Sequence, residues 1–195
     1  AWADEVALLQ LDSAKTVVDF SAPMQSHAGS VVTDANGTRQ AVVMFAAGTT
    51  ATMTMPNGST QSLSGPLTVR ATEYTAGAIG PRAMPGEMSA PIGYNYAVEL
   101  SVDEAIAAGA ASVSFSKPVI TYVDNFMALP VGKSVPMGSY DRIKSAWLPS
   151  GDGKVVKVVA LSGGLADLDT DGDGLADAPA KLASLGISDD ERKEV

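Results

Sequence analysis

The sequence predicts an all-β fold: an antiparallel β-sandwich with a short acidic loop and a helical tail at its C-terminal end. Three observations lead there. Between residues 15 and 161, short runs of β-forming residues are separated by Gly, Pro, Asn and Asp, the punctuation of a sandwich or barrel. Two of these runs alternate. Leu67, Val69 and Ala71 alternate with Thr68, Arg70 and Thr72, and Tyr94, Tyr96, Val98 and Leu100 with Asn95, Ala97 and Glu99, so each strand buries one face. Asn36-Gly37 and Asn57-Gly58 lie between runs, where tight hairpins require a positive φ.

Taken in order, strands are expected over residues 16–20, 30–33, 40–45, 50–55, 67–72, 94–100, 112–115, 119–122, 143–148 and 154–161. About nine or ten strands suffice for two packed sheets. Gly151-Asp152-Gly153 is expected to turn the chain into the last of them. One helix interrupts the series: Ser101 caps residues 102–108, Glu104 returns the bond and Gly109 ends the helix. Residues 76–93 are rich in Gly and Pro without alternation, which predicts a loop of the kind that carries binding surfaces. Beyond the acidic loop, residues 180–185 form a short helix ended by Gly186, and Ser188 with Glu191 makes a capping box that opens another.

This gives two regions, a β-sandwich over residues 1–161 and an acidic loop with helical tail over residues 162–195. The chain opens Ala1-Trp2-Ala3 with neither an initiator Met nor an apolar leader, and stops at Val195 soon after a helix start. A fragment of a longer chain is expected. At 195 residues and 46% apolar content there is enough material for one sizeable core. No apolar run approaches the roughly 18–20 residues that a spanning helix needs, so no membrane insertion is expected.

The net charge of −9 is uneven: residues 1–160 carry 13 acids against 10 bases, and residues 161–195 carry 9 against 3. Such a balance disfavours nucleic acid, whose binding depends on Lys and Arg neutralising phosphates, and disfavours anionic membrane surfaces. A cation is the better partner. The absence of cysteine rules out disulfides, thiolate zinc sites and cysteine nucleophiles without identifying a compartment.

The excess acid is concentrated in residues 167–177, Asp-Leu-Asp-Thr-Asp-Gly-Asp-Gly-Leu-Ala-Asp. Asp169, Asp171, Asp173, Gly174 and Asp177 match the first nine positions of an EF-hand-type loop. Calcium is a hard ion that takes six to eight oxygens, and alternate residues of a tight loop can turn their carboxylates toward one centre. Asp169, Asp171 and Asp173 are expected to ligate by side chain, Leu175 by its carbonyl, and Asp177 directly or through water. A second frame, shifted by two, begins at Asp167 with Gly172 as the turn. Ala180 stands where an EF-hand places its bidentate Glu, and Pro179 precedes it. An ordinary helix–loop–helix hand is therefore not expected, and magnesium, which demands near-octahedral geometry, fits less well. The same pattern without the closing Glu resembles the calcium loops of thrombospondin type 3 repeats and dockerins, although a dockerin needs two loops and one is visible.

Three stretches carry a wider resemblance: Leu67-TVRATEYTAG with GPRAMP; Ser112-VSFSKPVITYVDNFMALPVGKSVPMGSYD; and Trp147 followed by Gly153-KVVKV and DLDTDGDGLAD. Together they resemble a domain that precedes the repeat arrays of bacterial RHS/YD-repeat proteins, over roughly residues 30–195. That resemblance implies a secreted or cell-surface bacterial location, a long parent chain whose other domains are the partners of this one, and an architectural role. More distantly the β region is similar to the sandwich domain of ankyrins and netrin receptors. Relatives of that domain in the function-to-find family cleave themselves at a Phe-Ser bond, which here would be Phe115-Ser116.

No dinucleotide fingerprint, phosphate-cradling loop or nucleophile elbow is present, and a non-catalytic module is expected. Self-processing at Phe115-Ser116 is the alternative, with the one histidine, His27, as a distant base, although alternation assigns Phe115 to the core and Ser116 to solvent. A carbohydrate-binding module using the Gly/Pro-rich loop and exposed aromatics is another, although Trp147, Tyr122 and Tyr140 read as core or sheet packing before a sugar platform. Glu73, Glu99 and Asp124 specify no carboxylate pair by spacing. Lys117 with Asn95 or Asn125 offers only the residue types of an intramolecular amide bond. His27 reads as a loop residue, and the Met residues as core filling.

Overall fold

The computed structural model describes residues 7–86, 96–142 and 144–195. They form an all-β protein of antiparallel strands with three short α-helices, the last two at the C-terminal end, and one 3-10 turn, Gly80–Ala83, in the expected Gly- and Pro-rich loop. Packing divides the chain into two compact units, Ala1–Asp124 and Asn125–Val195.

The first unit contains β1 (Thr16–Val18), β2 (Gln25–Ala28), β3 (Val32–Asp34), β4 (Gly37–Arg39), β5 (Ala41–Phe45), β6 (Ala51–Thr54), β7 (Thr60–Leu63), β8 (Leu67–Glu73), β9 (Val98–Val102), α1 (Asp103–Ala107), β10 (Ser112–Phe115) and β11 (Ile120–Val123). Three three-stranded sheets, ordered β1-β8-β9, β10-β6-β7 and β11-β5-β2, share one core of Val18, Val43, Phe45, Ala51, Met53, Leu67, Val69, Val102 and Ala105. In β8 the predicted alternation holds as far as Ala71, with Leu67, Val69 and Ala71 buried between half-buried Thr68 and Arg70, and fails at Thr72, which is buried too. Phe20, Phe45 and Phe115 meet with ring centroids 5.4–6.1 Å apart in tilted or edge-on pairs, which adds about 0.5–1.5 kcal/mol per pair beyond area burial.

The β3–β4 hairpin turns at Ala35-Asn36, one residue before the expected Asn36-Gly37, with Gly37 opening β4 at positive φ, and Asn57-Gly58 lies in the β6–β7 turn with Gly58 at positive φ. The expected cap at Ser101 does not form. Ser101 is a residue of β9 paired with Arg70, so α1 starts without a side-chain cap, and cross-strand pairing has overridden the local capping preference. Glu104 instead accepts the Thr68 backbone N–H at 2.9–3.0 Å, which satisfies β8 beyond the point where β9 ends. The strand expected over residues 94–100 is observed from Val98, and its Tyr94 and Asn95 lie outside the described residues.

His27 lies in β2, not in a loop, and is buried. Its Nδ1 meets Thr16 Oγ1 at 3.0 Å, linking β2 to β1. Burial depresses its pKa, opposed by the nearby Asp12 carboxylate and reinforced by Arg70.

The second unit contains β12 (Ser134–Val135), β13 (Gly138–Asp141), β14 (Ala146–Pro149), β15 (Gly153–Lys154), β16 (Lys157–Ser162), β17 (Leu165–Asp169), α2 (Pro179–Ser184) and α3 (Asp189–Glu194). β13 pairs with β14, and β12 with β15. Gly151-Asp152-Gly153 is thus a kink in the returning arm of one long hairpin, bridged by Ser150 N–H to Met137 O at 2.9 Å, and not a hairpin turn. The strand expected over residues 143–148 is observed over Ala146–Pro149, and its Ile143 lies outside the described residues. Gly163-Gly164, both at positive φ, joins β16 to β17 with the residues that a two-residue hairpin prefers.

The division expected after Leu161 falls inside β16, where Leu161 pairs with Ala166. This pairing ties the acidic segment to the strands before it. Helices α2 and α3 have six residues each, too short to persist alone. A second core of Ala166, Leu168 and Leu182, with Ile187 against it, holds α2 to β17. The Ser188–Glu191 capping box forms as predicted.

Candidate metal centre

The acidic loop begins where β17 ends and closes where Asp177 N–H bonds Leu168 O at 2.7 Å. Its path is fixed by a close backbone approach. Gly172 and Gly132 both have positive φ, near 86° and 85°. A Cβ on Gly172 would lie 2.8 Å from Val131 O, and one on Gly132 would lie 2.8 Å from Asp171 O. Only glycine combines that backbone conformation with that clearance.

Within this loop Asp169, Asp171 and Asp177 each present a carboxylate oxygen, and the three oxygens lie within 4.8 Å of one another. Calcium–oxygen distances of about 2.3–2.6 Å place ligands on opposite sides of the ion about 5 Å apart. The three oxygens can therefore share one centre, and the triad can hold a metal ion.

Each carboxylate is oriented differently. Asp169 is 1% exposed. Its Oδ1 accepts from Asp171 N–H at 3.1 Å and Gly172 N–H at 2.7 Å, and its Oδ2 accepts from Gly174 N–H at 2.9 Å. Burial by itself would raise its pKa. The N–H groups of Gly172, Gly174 and Asp171 outweigh burial and hold the carboxyl below its ordinary value, against the repulsion of Asp177. Asp177 accepts the backbone N–H of Thr170 at 2.7 Å and the Thr170 hydroxyl on Oδ2. Its other oxygen takes the ammonium of Lys181, which also bonds Asp171 Oδ2. Lys181 first, and Thr170 second, lower the Asp177 pKa to about 2, and the same carboxylates raise that of Lys181.

Asp167 and Asp173, also expected as ligands, are not part of this triad. The Asp167 carboxylate accepts from Arg192 Nη2 at 3.0 Å and from the Ser162 hydroxyl, so it serves the docking of α3. Arg192 is buried and also donates to Ala166 O at 2.7 Å and Asp189 at 3.0 Å. The Asp173 carboxylate accepts the N–H of Leu175, the residue expected to ligate by its carbonyl, at 2.8 Å. Three functional neighbours escaped sequence reasoning: Thr170, Lys181 and Arg192. Lys181 had a visible signal, since it follows Asp177 by four residues across the start of a helix.

The other candidate residues occupy ordinary structural positions. Phe115 packs against the first core, and Ser116 continues the β10–β6 pairing, its Oγ accepting Thr50 N–H at 2.8 Å and its N–H donating to Thr50 O at 2.9 Å. Glu73 bonds Arg39, and Glu99 accepts from the Tyr74 hydroxyl at 3.3 Å. Lys117 donates to Ala47 O, Asn125 closes a turn with Leu129, and Asn95 lies outside the described residues. Tyr140 and Trp147 form an edge-on cross-strand pair with centroids 5.5 Å apart. No helix of the described residues is long and apolar enough to cross a membrane.

Comparison of the chain with family models, curated proteins and solved structures finds no match in any of the three.

Proposed function

We propose that the chain is a non-catalytic structural and interaction module of a larger bacterial surface or secreted protein, in which calcium orders the junction between β17 and α2. The observation that carries this reading is the gathering of Asp169, Asp171 and Asp177 within 4.8 Å, at the point where the chain leaves a sheet for two docked helices. These residues would hold the ion, and it would supply two positive charges to three carboxylates that have one ammonium, that of Lys181, between them. With few protein ligands, water completes the shell, and affinity falls in the range of extracellular calcium modules, about 10⁻⁴–10⁻³ M. The wider sequence resemblance supplies the surface or secreted setting and the other domains of the parent chain as partners.

Isothermal titration tests the site. The wild-type chain should take up one calcium ion, and Asp171→Asn, which removes charge from the most exposed of the three carboxylates, should weaken binding by about tenfold or more, equivalent to about 1.4 kcal/mol. Equal binding by the variant would remove the triad from the account.

A further inference from the structure

We infer that Lys181 is a tethered cation that competes with the metal for Asp171 and Asp177, so that the loop is held together by an ammonium when calcium is scarce and by calcium when it is plentiful. The inference rests on the calcium reading of the triad and adds its regulation. Lys181 contributes its Nζ from α2, outside the acidic loop, and that atom bonds two of the three carboxylates that lie within 4.8 Å of one another. Its delivery there is structural. The next residue, Leu182, is 1% exposed in the core formed with Ala166 and Leu168, and this fixes α2 beside the loop.

A monovalent ammonium on a flexible stem and a divalent ion cannot occupy the same carboxylate oxygens without mutual repulsion. Calcium entry therefore requires the ammonium to leave, and the Lys181 side chain, about one-third exposed, has solvent to move into. Asp169 is not part of the exchange. Its carboxylate is held by backbone N–H groups, so the loop keeps its turn while Asp171 and Asp177 change partner. A carboxylate has about four acceptor sites, which leaves Asp169 able to ligate as well.

The test compares the wild-type chain with Lys181→Met and Lys181→Arg by calcium titration and by melting in chelator and in excess calcium. Lys181→Met should bind calcium about tenfold more tightly and Lys181→Arg within about threefold of wild type. Lys181→Met should melt below wild type in chelator, where the carboxylates repel one another, and at or above it in calcium. Unchanged or weaker calcium binding by Lys181→Met overturns the competition and leaves the calcium reading standing. Failure of all three chains to bind calcium removes both. If Lys181→Met folds in neither condition, Lys181 is a structural ion pair and the competition is again overturned.

Discussion

Replacing Arg39 by Met is expected to destabilise the first unit by about 3–5 kcal/mol, the cost of removing one partner from a buried ion pair. Arg39 is 1% exposed. Its Nη1 and Nη2 reach the Asp34 carboxylate at 2.9 and 2.8 Å, its Nε reaches Glu73 at 2.7 Å, and Nη1 touches Gly37 O at 3.4 Å. One guanidinium thus closes the β3–β4 hairpin and fastens it to β8. Methionine fills the apolar volume but leaves two acids without their cation.

The loss should depend on pH in a defined direction. The hydrogen bonds from Arg39, and then that from Asn36, depress the Asp34 pKa to about 2 from an ordinary value of 3.8. A depressed carboxyl contributes stability that is fully present above the unfolded value and is lost as pH falls through the folded one. The gap between wild type and Arg39→Met should therefore be widest above pH 3.8 and close as pH approaches 2. Urea unfolding across that range measures it. A loss below about 1 kcal/mol at neutral pH would place Arg39 with ordinary surface pairs and contradict the pinning role.

The second large effect is expected at Leu182. Its truncation to Ala should cost about 2–5 kcal/mol, the range for deleting a buried Leu side chain, and a core as small as Ala166, Leu168, Leu182 and Ile187 has few neighbours to collapse into the space. Because α2 has six residues and no side-chain cap, its persistence depends on that contact. Hydrogen exchange should show lost protection at the Lys181, Leu182, Leu185 and Ile187 N–H groups of α2 and its C-terminal turn, and at the Asp177 N–H that closes the loop. Unchanged protection in α2 would mean that the acidic loop, and not the apolar contact, holds the helix.

The β class was legible because alternation survives in strands that turn one face to the core, as in β10 and most of β8, although at β9 the expected face is wrong, with Ala97 buried and Leu100 exposed. Strands without an apolar period were not. β2 reads Gln-Ser-His-Ala and β7 reads Thr-Gln-Ser-Leu, with no apolar period, and each exists because it pairs with β5 or β6. The Ser101 cap failed for the same reason, since register with Arg70 places it in a sheet. β17 was hidden by its own composition: Leu-Ala-Asp-Leu-Asp reads as the start of an acidic loop, although the Gly163-Gly164 pair before it was a hairpin signal.

At the loop, the alternate spacing of Asp was visible, but which carboxylates converge was not. Asp167 is taken by Arg192, 25 residues later, and Asp173 by the backbone of its own turn. The bond from Asp177 N–H to Leu168 O and those from Thr170 bring Asp177 to Asp169 and Asp171, and the packing of α2 brings Lys181.

On the proposed function, a cation at this triad orders the β17–α2 junction. The most direct test is thermal melting of the full chain in chelator and in millimolar calcium, followed by hydrogen exchange at residues 169–184 under both conditions. Calcium should raise the midpoint by mass action, with a shift that grows with ion concentration, and should increase protection across the loop and α2. A midpoint and an exchange pattern that do not change at millimolar calcium would contradict the account.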